Sequence, residues 1–273
     1  MRPLQAEFME RQAETILDEI LARRKERIRA AKESVALAHL VESALRRTDV
    51  RDFAAALSTP GVGVIAELKQ ASPSRGVIRQ DYRVGEIAAS YQAAGAAAIS
   101  ILTEPDYFRG TLEDLQAVRQ AVSLTCLRKD FIMDAYQVAE SAAAGADAIL
   151  LIAAALPNRE LEEFARLAGS FGMAVLVEVH TEEELERSLA AGSKIIGVNN
   201  RDLRTFEVKF ETSLRLRKRI PAGCLSVSES GIHSVDDLRR LEDAGFDAVL
   251  IGEHFMLAQD PGKELAGFLA GLH

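Results

Sequence analysis

Apolar and polar positions recur along this chain with two different periods, and the change from one to the other sets out its elements. From residue 4 to 46 the period is helical: Ile16, Ile20, Leu21 and Ile28 recur among Glu, Arg and Lys, and Leu37, Leu40 and Leu45 come after them. Asp52 is placed to cap a short helix from Ala54 to Leu57, and Thr59-Pro60-Gly61 stops it. Short apolar runs then begin, fit for strands buried on both faces. They are Val62 to Lys69, Ala97 to Thr103, Thr125 to Lys129, Ile149 to Ala153, Ala174 to Val179, Ile195 to Asn199, Leu225 to Ser228 and Ala248 to Ile251. Amphipathic stretches fill the gaps and predict helices near Val84 to Ala94, Leu112 to Val122, Tyr136 to Ala144, Glu160 to Phe171, Glu182 to Ala191, Thr212 to Lys218, Val235 to Ala244 and Lys263 to Leu272.

A repeat runs through these segments. Ala94-Gly95, Ala144-Gly145, Ala191-Gly192 and Ala244-Gly245 each end a helix and precede an apolar run, and the glycines suit the left-handed position after a helix. Their spacing is about fifty residues, room for two strand–helix units, so the pattern implies roughly eight units in all. Eight alternating units predict an α/β fold, a (βα)8 TIM barrel over residues 61–273, with residues 1–60 as a helical N-terminal extension packed outside it or across one end. A doubly wound open sheet competes with this reading, but no GxGxxG comes after the first strand.

Composition narrows the picture. At 273 residues and 48% hydrophobic content the chain can bury a sizeable core. No run approaches the roughly 18 apolar residues of a membrane span, and the N-terminus has no apolar signal core, so a cytoplasmic protein is expected. The net charge of -8 argues against nucleic acid, and glutamates interrupt the basic run from Arg23 to Lys32, which reads as a solvated face. Cys126 and Cys224 lie in apolar runs without metal-binding spacing and read as buried thiols.

The chemistry sits at the strand ends. In Val62 to Gly76, VGVIAELKQASPSRG, Glu67 and Lys69 are two residues apart and share a strand face. The loop from Ser72 to Gly76 adds hydroxyls, N–H groups and a cation, which suits an anionic ligand. On this stretch alone a structural ion pair closing the sheet explains the residues equally well. Other strand ends carry Arg128, Lys129 and Asp130; Glu178 and then His180; Asn199, Asn200, Arg201 and Asp202; Ser228, Glu229, Ser230 and Gly231; and Gly252 with Glu253. So many charges around one small cavity would destabilise a barrel that had no use for them. Asp130 and Asp202 are exceptions, placed as caps or arginine partners. Ser230-Gly231 and Gly252-Glu253 can present backbone N–H groups to a phosphate; the lesser alternative is that both glycines merely serve tight turns. Glu253 fits beside a phosphate only with its side chain turned away.

Assembled in order, these motifs resemble indole-3-glycerol phosphate synthases. The likeness runs from about Val64 to Met256 through Ile65-Ala66-Glu67-Leu68-Lys69 with Ser72-Pro73-Ser74, Leu102-Thr103-Glu104 with Tyr107-Phe108-Arg109-Gly110, Arg128-Lys129-Asp130-Phe131-Ile132, Glu178-Val179-His180, Gly197-Val198-Asn199-Asn200-Arg201-Asp202-Leu203, Ser228-Glu229-Ser230-Gly231-Ile232 and Leu250-Ile251-Gly252-Glu253. The resemblance implies a small phosphorylated substrate and closure of its ring with loss of carbon dioxide and water, without a cofactor. It implies Lys129 as general acid, and Lys69 as a substrate-holding lysine that assists dehydration. Glu67 and Glu178 become the carboxylates that stabilise a cation and take its proton, Asn199 orients Glu67, and Glu229 belongs to the same cluster. Ser230, Gly231, Gly252 and Glu253 surround the phosphate, Ser72 lies near the substrate carboxylate, Arg201 supports the network, and Phe108, Phe131 and Leu203 form an apolar slot. Leu203 suits ordinary core packing equally well.

The chain departs from the family at His254-Phe255-Met256, where Ala-Leu-Met is usual. His254 reads as a solvated or capping residue. Two other functions compete: a phosphate-binding barrel isomerase, which would need a Cys and Asp pair at strand ends, and a non-catalytic barrel that senses ligand. The carboxylates argue against the second, since binding alone would not need them.

Overall fold

Each of the eight apolar runs forms a strand in the computed structural model, which describes residues 15–202 and 206–272. They are β1 (Gly63–Leu68), β2 (Ala98–Leu102), β3 (Thr125–Lys129), β4 (Ala148–Ile152), β5 (Ala174–Val179), β6 (Ile195–Asn199), β7 (Leu225–Glu229) and β8 (Ala248–Ile251). All pair in parallel in chain order, and β8 closes on β1 with Gly63 to Ala66 opposite Ala248 to Ile251. The differences from the expected strands are slips of one residue: β1 ends at Leu68, leaving Lys69 just past it, and β7 continues through Glu229.

Among the described residues three helices precede β1. The expected helical stretch is two helices, α1 (Ile16–Ser34) and α2 (Leu37–Leu45), because Val35 and Ala36 are extended; residues 4–14 of that stretch lie outside the described residues. Thr15 and Asp18 form a capping box at the start of α1. In α3 (Phe53–Leu57) the Asp52 side chain accepts from Ala55 N at 2.9 Å, as the sequence predicts.

The outer helices are α4 (Val84–Ala94), α5 (Leu112–Ala121), α6 (Ala135–Ala144), α7 (Asn158–Ser170), α8 (Glu182–Ala190), α9 (Glu211–Arg217), α10 (Val235–Asp243) and α12 (Pro261–Ala270). Gly95, Gly145, Gly192 and Gly245 take φ of 96°, 101°, 82° and 83°, the left-handed helix ends that the repeat predicts. Among the described residues three elements were not expected: α11 (Glu253–Leu257), directly after β8, a 3-10 turn at Ala153–Ala155 after β4, and a small hairpin pairing Ala71–Ser72 with Gly76–Val77 inside the loop after β1.

Alternation sorts every strand into two layers. Val64, Ala66 and Leu68 of β1 face outward into the strand–helix core, while Ile65 faces inward with Leu127, Leu150, Leu176, Ile195, Val227 and Leu250 from other strands. The inner layer therefore fills the barrel with aliphatic side chains up to its last residues. Two positions beyond Ile65, Leu127, Leu176 and Val227 stand Glu67, Lys129, Glu178 and Glu229, on the same inward face.

The basic run of α1 is not simply a solvated face. Arg24 is buried and pairs with Asp130 at 2.8 Å, and Arg27 and Lys32 reach Asp106 and Asp134, so charge docks α1 on the loops after β2 and β3. Cys126 and Cys224 are free thiols, Cys126 buried and Cys224 half-buried rather than fully so. No helix among the described residues is long and apolar enough to cross a membrane.

Candidate active site

The C-terminal ends of the strands open into one cavity that encloses about 1030 Å³, part of it open to solvent. Glu67, Lys69, Ser72, Phe108, Lys129, Phe131, Glu178, Asn199, Arg201, Glu229, Ser230, Gly231, Gly252 and Glu253 all line it. Leu203, the remaining residue of the expected set, lies outside the described residues.

Lys129 stands at the centre. Its Nζ is 3.2 Å from Glu178 Oε2 and 3.4 Å from Glu229 Oε2, and both carboxylates are buried. Burial works against the ammonium, but Glu178, Glu229 and Glu67 outweigh it and hold its pKa above the ordinary lysine range. Burial likewise opposes the charge on Glu178, yet Lys129 and His180 together keep this carboxyl below its ordinary pKa. Glu229 behaves differently. Burial comes first, and despite Lys129 the repulsion of Glu178 and Glu67 helps push it up to about 7.

Glu67 pairs with Lys69 at 2.9 Å, so the two residues that the sequence places on one strand face do meet. The resemblance assigns Asn199 to Glu67; in the structure its carbonyl accepts from Arg201 N at 3.0 Å, and its side chain helps favour the ionised form of Glu178. Two glycines make the packing of carboxylates feasible. A Cβ on Gly252 would lie 2.1 Å from Glu67 Oε2, and one on Gly197 would lie 2.3 Å from Glu229 Oε1. Both positions must stay bare for the carboxylates to fit where they are.

The outer rim is built from loops. Phe108 and Phe131 stack loosely, ring centres 6.1 Å apart, on one side. Across the cavity Ser230 and Gly231 both take positive φ, 65° and 76°. The Glu253 carboxylate meets Arg75 at 2.7 Å and lies 3.8 Å from Arg201, so cations occupy it, as its place beside an anion requires. His180 sits behind Glu178, with Nε2 3.5 Å from Glu178 Oε1 and Nδ1 3.3 Å from Glu184 Oε2. His254 is half-buried rather than solvated: it bonds to Glu264 at 2.8 Å, packs against Phe268 and borders the cavity. Arg128 turns to the barrel's outer side, and Asp130, although it borders the cavity, takes Arg128, Arg24 and Thr103; it was expected as a cap or an arginine partner.

Sequence reasoning missed several lining residues. Phe206 borders the cavity from the loop after β6, and Leu102, Leu150 and Ile152 form apolar wall. Leu150 and Ile152 have a readable signal, since they are the inward positions of β4 by the same alternation that delivers Lys129. Phe206 has none, because an irregular loop has no period.

A family model described as "Indole-3-glycerol phosphate synthase" matches residues 17–268. The chain belongs to the indole-3-glycerol phosphate synthase family. The indole-3-glycerol phosphate synthase of Laribacter hongkongensis is 49% identical over 260 residues, covering 93% of this chain and 99% of that protein. The synthase of Carboxydothermus hydrogenoformans is 46% identical over 266 residues, covering 93% and 99%. Among solved structures, thiamine phosphate pyrophosphorylase from Pyrococcus furiosus superimposes with a TM-score of 0.59 at 18% identity, covering 79% of this chain and 96% of that one; the likeness is one of fold. For a synthase of this family the mouth described above is the place where chemistry is expected, at the C-terminal face of the barrel.

Proposed function

We propose that this mouth carries out the family's reaction by lysine and glutamate acid–base chemistry: 1-(2-carboxyphenylamino)-1-deoxyribulose 5-phosphate loses carbon dioxide and water to give indole-3-glycerol phosphate. The enzyme is a decarboxylating carbon–carbon lyase of tryptophan biosynthesis. The observation that carries the mechanism is the Lys129 ammonium held between Glu178 and Glu229, with the Phe108–Phe131 slot on one side and the Ser230–Gly231 backbone on the other.

The aryl group enters the slot and the phosphate lies against Ser230, Gly231 and Gly252. The ring carbon that bears the carboxylate attacks the ketone carbon, and the ketone oxygen takes a proton from Lys129 to become a hydroxyl. The positive charge left on the aryl-amine is stabilised by Glu67 and Glu178. Breaking the bond to carbon dioxide returns its electron pair to the ring. The hydroxyl then leaves as water with a proton from Lys69, while Glu178 takes a proton from the neighbouring carbon. One proton is consumed overall, and it returns to the lysines from solvent. Asn199 orients Glu178, Ser72 flanks the substrate carboxylate, and Arg201 with Arg75 offsets the charge of Glu253 beside the phosphate.

The isomerase alternative needs a reactive cysteine at a strand end. Cys126 is instead fully buried in the outer layer of β3, where burial and then Asp147 push its thiol up to about 11. Free thiols in both cysteines support a reducing, cytoplasmic setting. The test is direct: purified protein is expected to convert the ribulose phosphate to a fluorescent indole in the presence of a metal chelator. No turnover with intact folded protein would overturn the assignment.

A further inference from the structure

The motif that the mechanism leaves unused is Asn200, which is buried and absent from the cavity wall although its neighbours Asn199 and Arg201 line it. Its side chain makes three contacts. Oδ1 accepts from the backbone N–H of Ser213 in α9 at 3.0 Å, which fixes the orientation of the amide. Nδ2 then donates to the Ser230 carbonyl at 2.9 Å and reaches Ser228 Oγ at 3.4 Å. Ser228 Oγ is itself 2.7 Å from Ser213 Oγ, so the group is closed on both sides.

Ser230 is where this matters. It holds φ at 65° without being glycine, a conformation that is unfavourable unless its surroundings impose it. Gly231 comes next at φ 76°. Successive backbone N–H groups in a turn of this kind can face one concavity, the arrangement that receives an anion. In a trans peptide the C=O and the next N–H point in opposite directions. With the Ser230 carbonyl drawn onto Asn200 on the buried side, the Gly231 N–H is turned the other way, toward the cavity that Gly231 lines.

We propose that Asn200 is the positioning residue of the phosphate cradle: by holding the Ser230 carbonyl it imposes the left-handed backbone that aims the Ser230–Gly231 N–H groups at the substrate's phosphate. This rests on the cradle reading given above. Asn200 touches neither the substrate nor the reacting atoms, so its loss weakens ground state and transition state alike.

The test measures kcat, KM and competitive inhibition by inorganic phosphate in wild type, Asn200→Ala, Ser230→Gly and the double variant, each checked by thermal melting. In Asn200→Ala, KM and the phosphate inhibition constant are expected to rise about tenfold while kcat stays within about twofold. The double variant is expected to recover most of the phosphate affinity, since glycine accepts the left-handed conformation unaided. Should Asn200→Ala not fold, Asn200→Asp keeps acceptance from Ser213, loses donation to Ser230, and is read by the same rescue. Phosphate inhibition that is unchanged in Asn200→Ala, or weakened but not rescued by Ser230→Gly, overturns the role of Asn200 while leaving the cradle intact. Wild type that inorganic phosphate does not inhibit competitively overturns the cradle and this proposal together.

Discussion

In the proposed mechanism Lys129 is the acid, and the two carboxylates paired with it, Glu178 and Glu229, do not carry the same charge. Glu178 stays ionised with Lys129 and His180 beside it, and Glu229 is left as the group whose proton comes and goes near pH 7. A carboxyl poised there exchanges protons at working pH. The folded protein holds a proton on Glu229 between its unfolded value near 4.5 and about 7, where the unfolded chain has released it. Stability from this group is therefore lost as pH rises through that window, by up to about 3 kcal/mol. Glu229→Gln is expected to remove the limb near pH 7 from the kcat/KM profile, and its melting temperature relative to wild type is expected to climb from pH 5 to pH 8. A limb that survives in the variant would assign it to another group. The Glu67–Lys69 pair was legible in the sequence because strand neighbours two apart must share a face. The state of Glu229 was not, since it depends on side chains delivered by β1, β3 and β5 across the barrel.

The elements were legible to within one or two residues wherever a period could be read. Two-residue alternation marks each strand, and glycine after each small-residue helix end marks where the next strand begins, as Gly95 and Gly145 show. What could not be read is how elements without a shared period meet. Arg24 looks like its neighbour Arg23 in the sequence, yet it is buried against Asp130, one residue beyond Lys129, while the Arg23 side chain is 64% exposed. α1 is thus tied to the strand end that carries the proposed acid. Arg24→Ala is expected to destabilise the protein by about 1.5–3 kcal/mol in urea unfolding, less than full loss of a buried pair because Asp130 keeps Arg128. Arg23→Ala is expected to change it by less than about 0.5 kcal/mol. Equal effects from the two would contradict the docking role of Arg24. The hairpin at Ala71–Val77 and the bordering Phe206 escaped for a related reason: loops are shaped by what they pack on, and alternation says nothing about them.

At the scale of the whole molecule, the barrel converts a local rule into a site. Inward positions hold aliphatic side chains through most of the strands, then change to Glu67, Lys129, Glu178, Asn199 and Glu229 in the last step of alternation, so closure of the sheet alone brings them together. That is why the charged strand-end residues of the lining could be named once eight units had been counted, whereas Phe108 and Phe131 came from the family resemblance. The whole mechanism turns on Lys129 as the acid of ring closure, and turnover of Lys129→Ala on the ribulose phosphate tests it most directly. The expected result is a fall in kcat of at least about 10²-fold, with phosphate inhibition retained. A folded Lys129→Ala protein that turns over at the wild-type rate would contradict it.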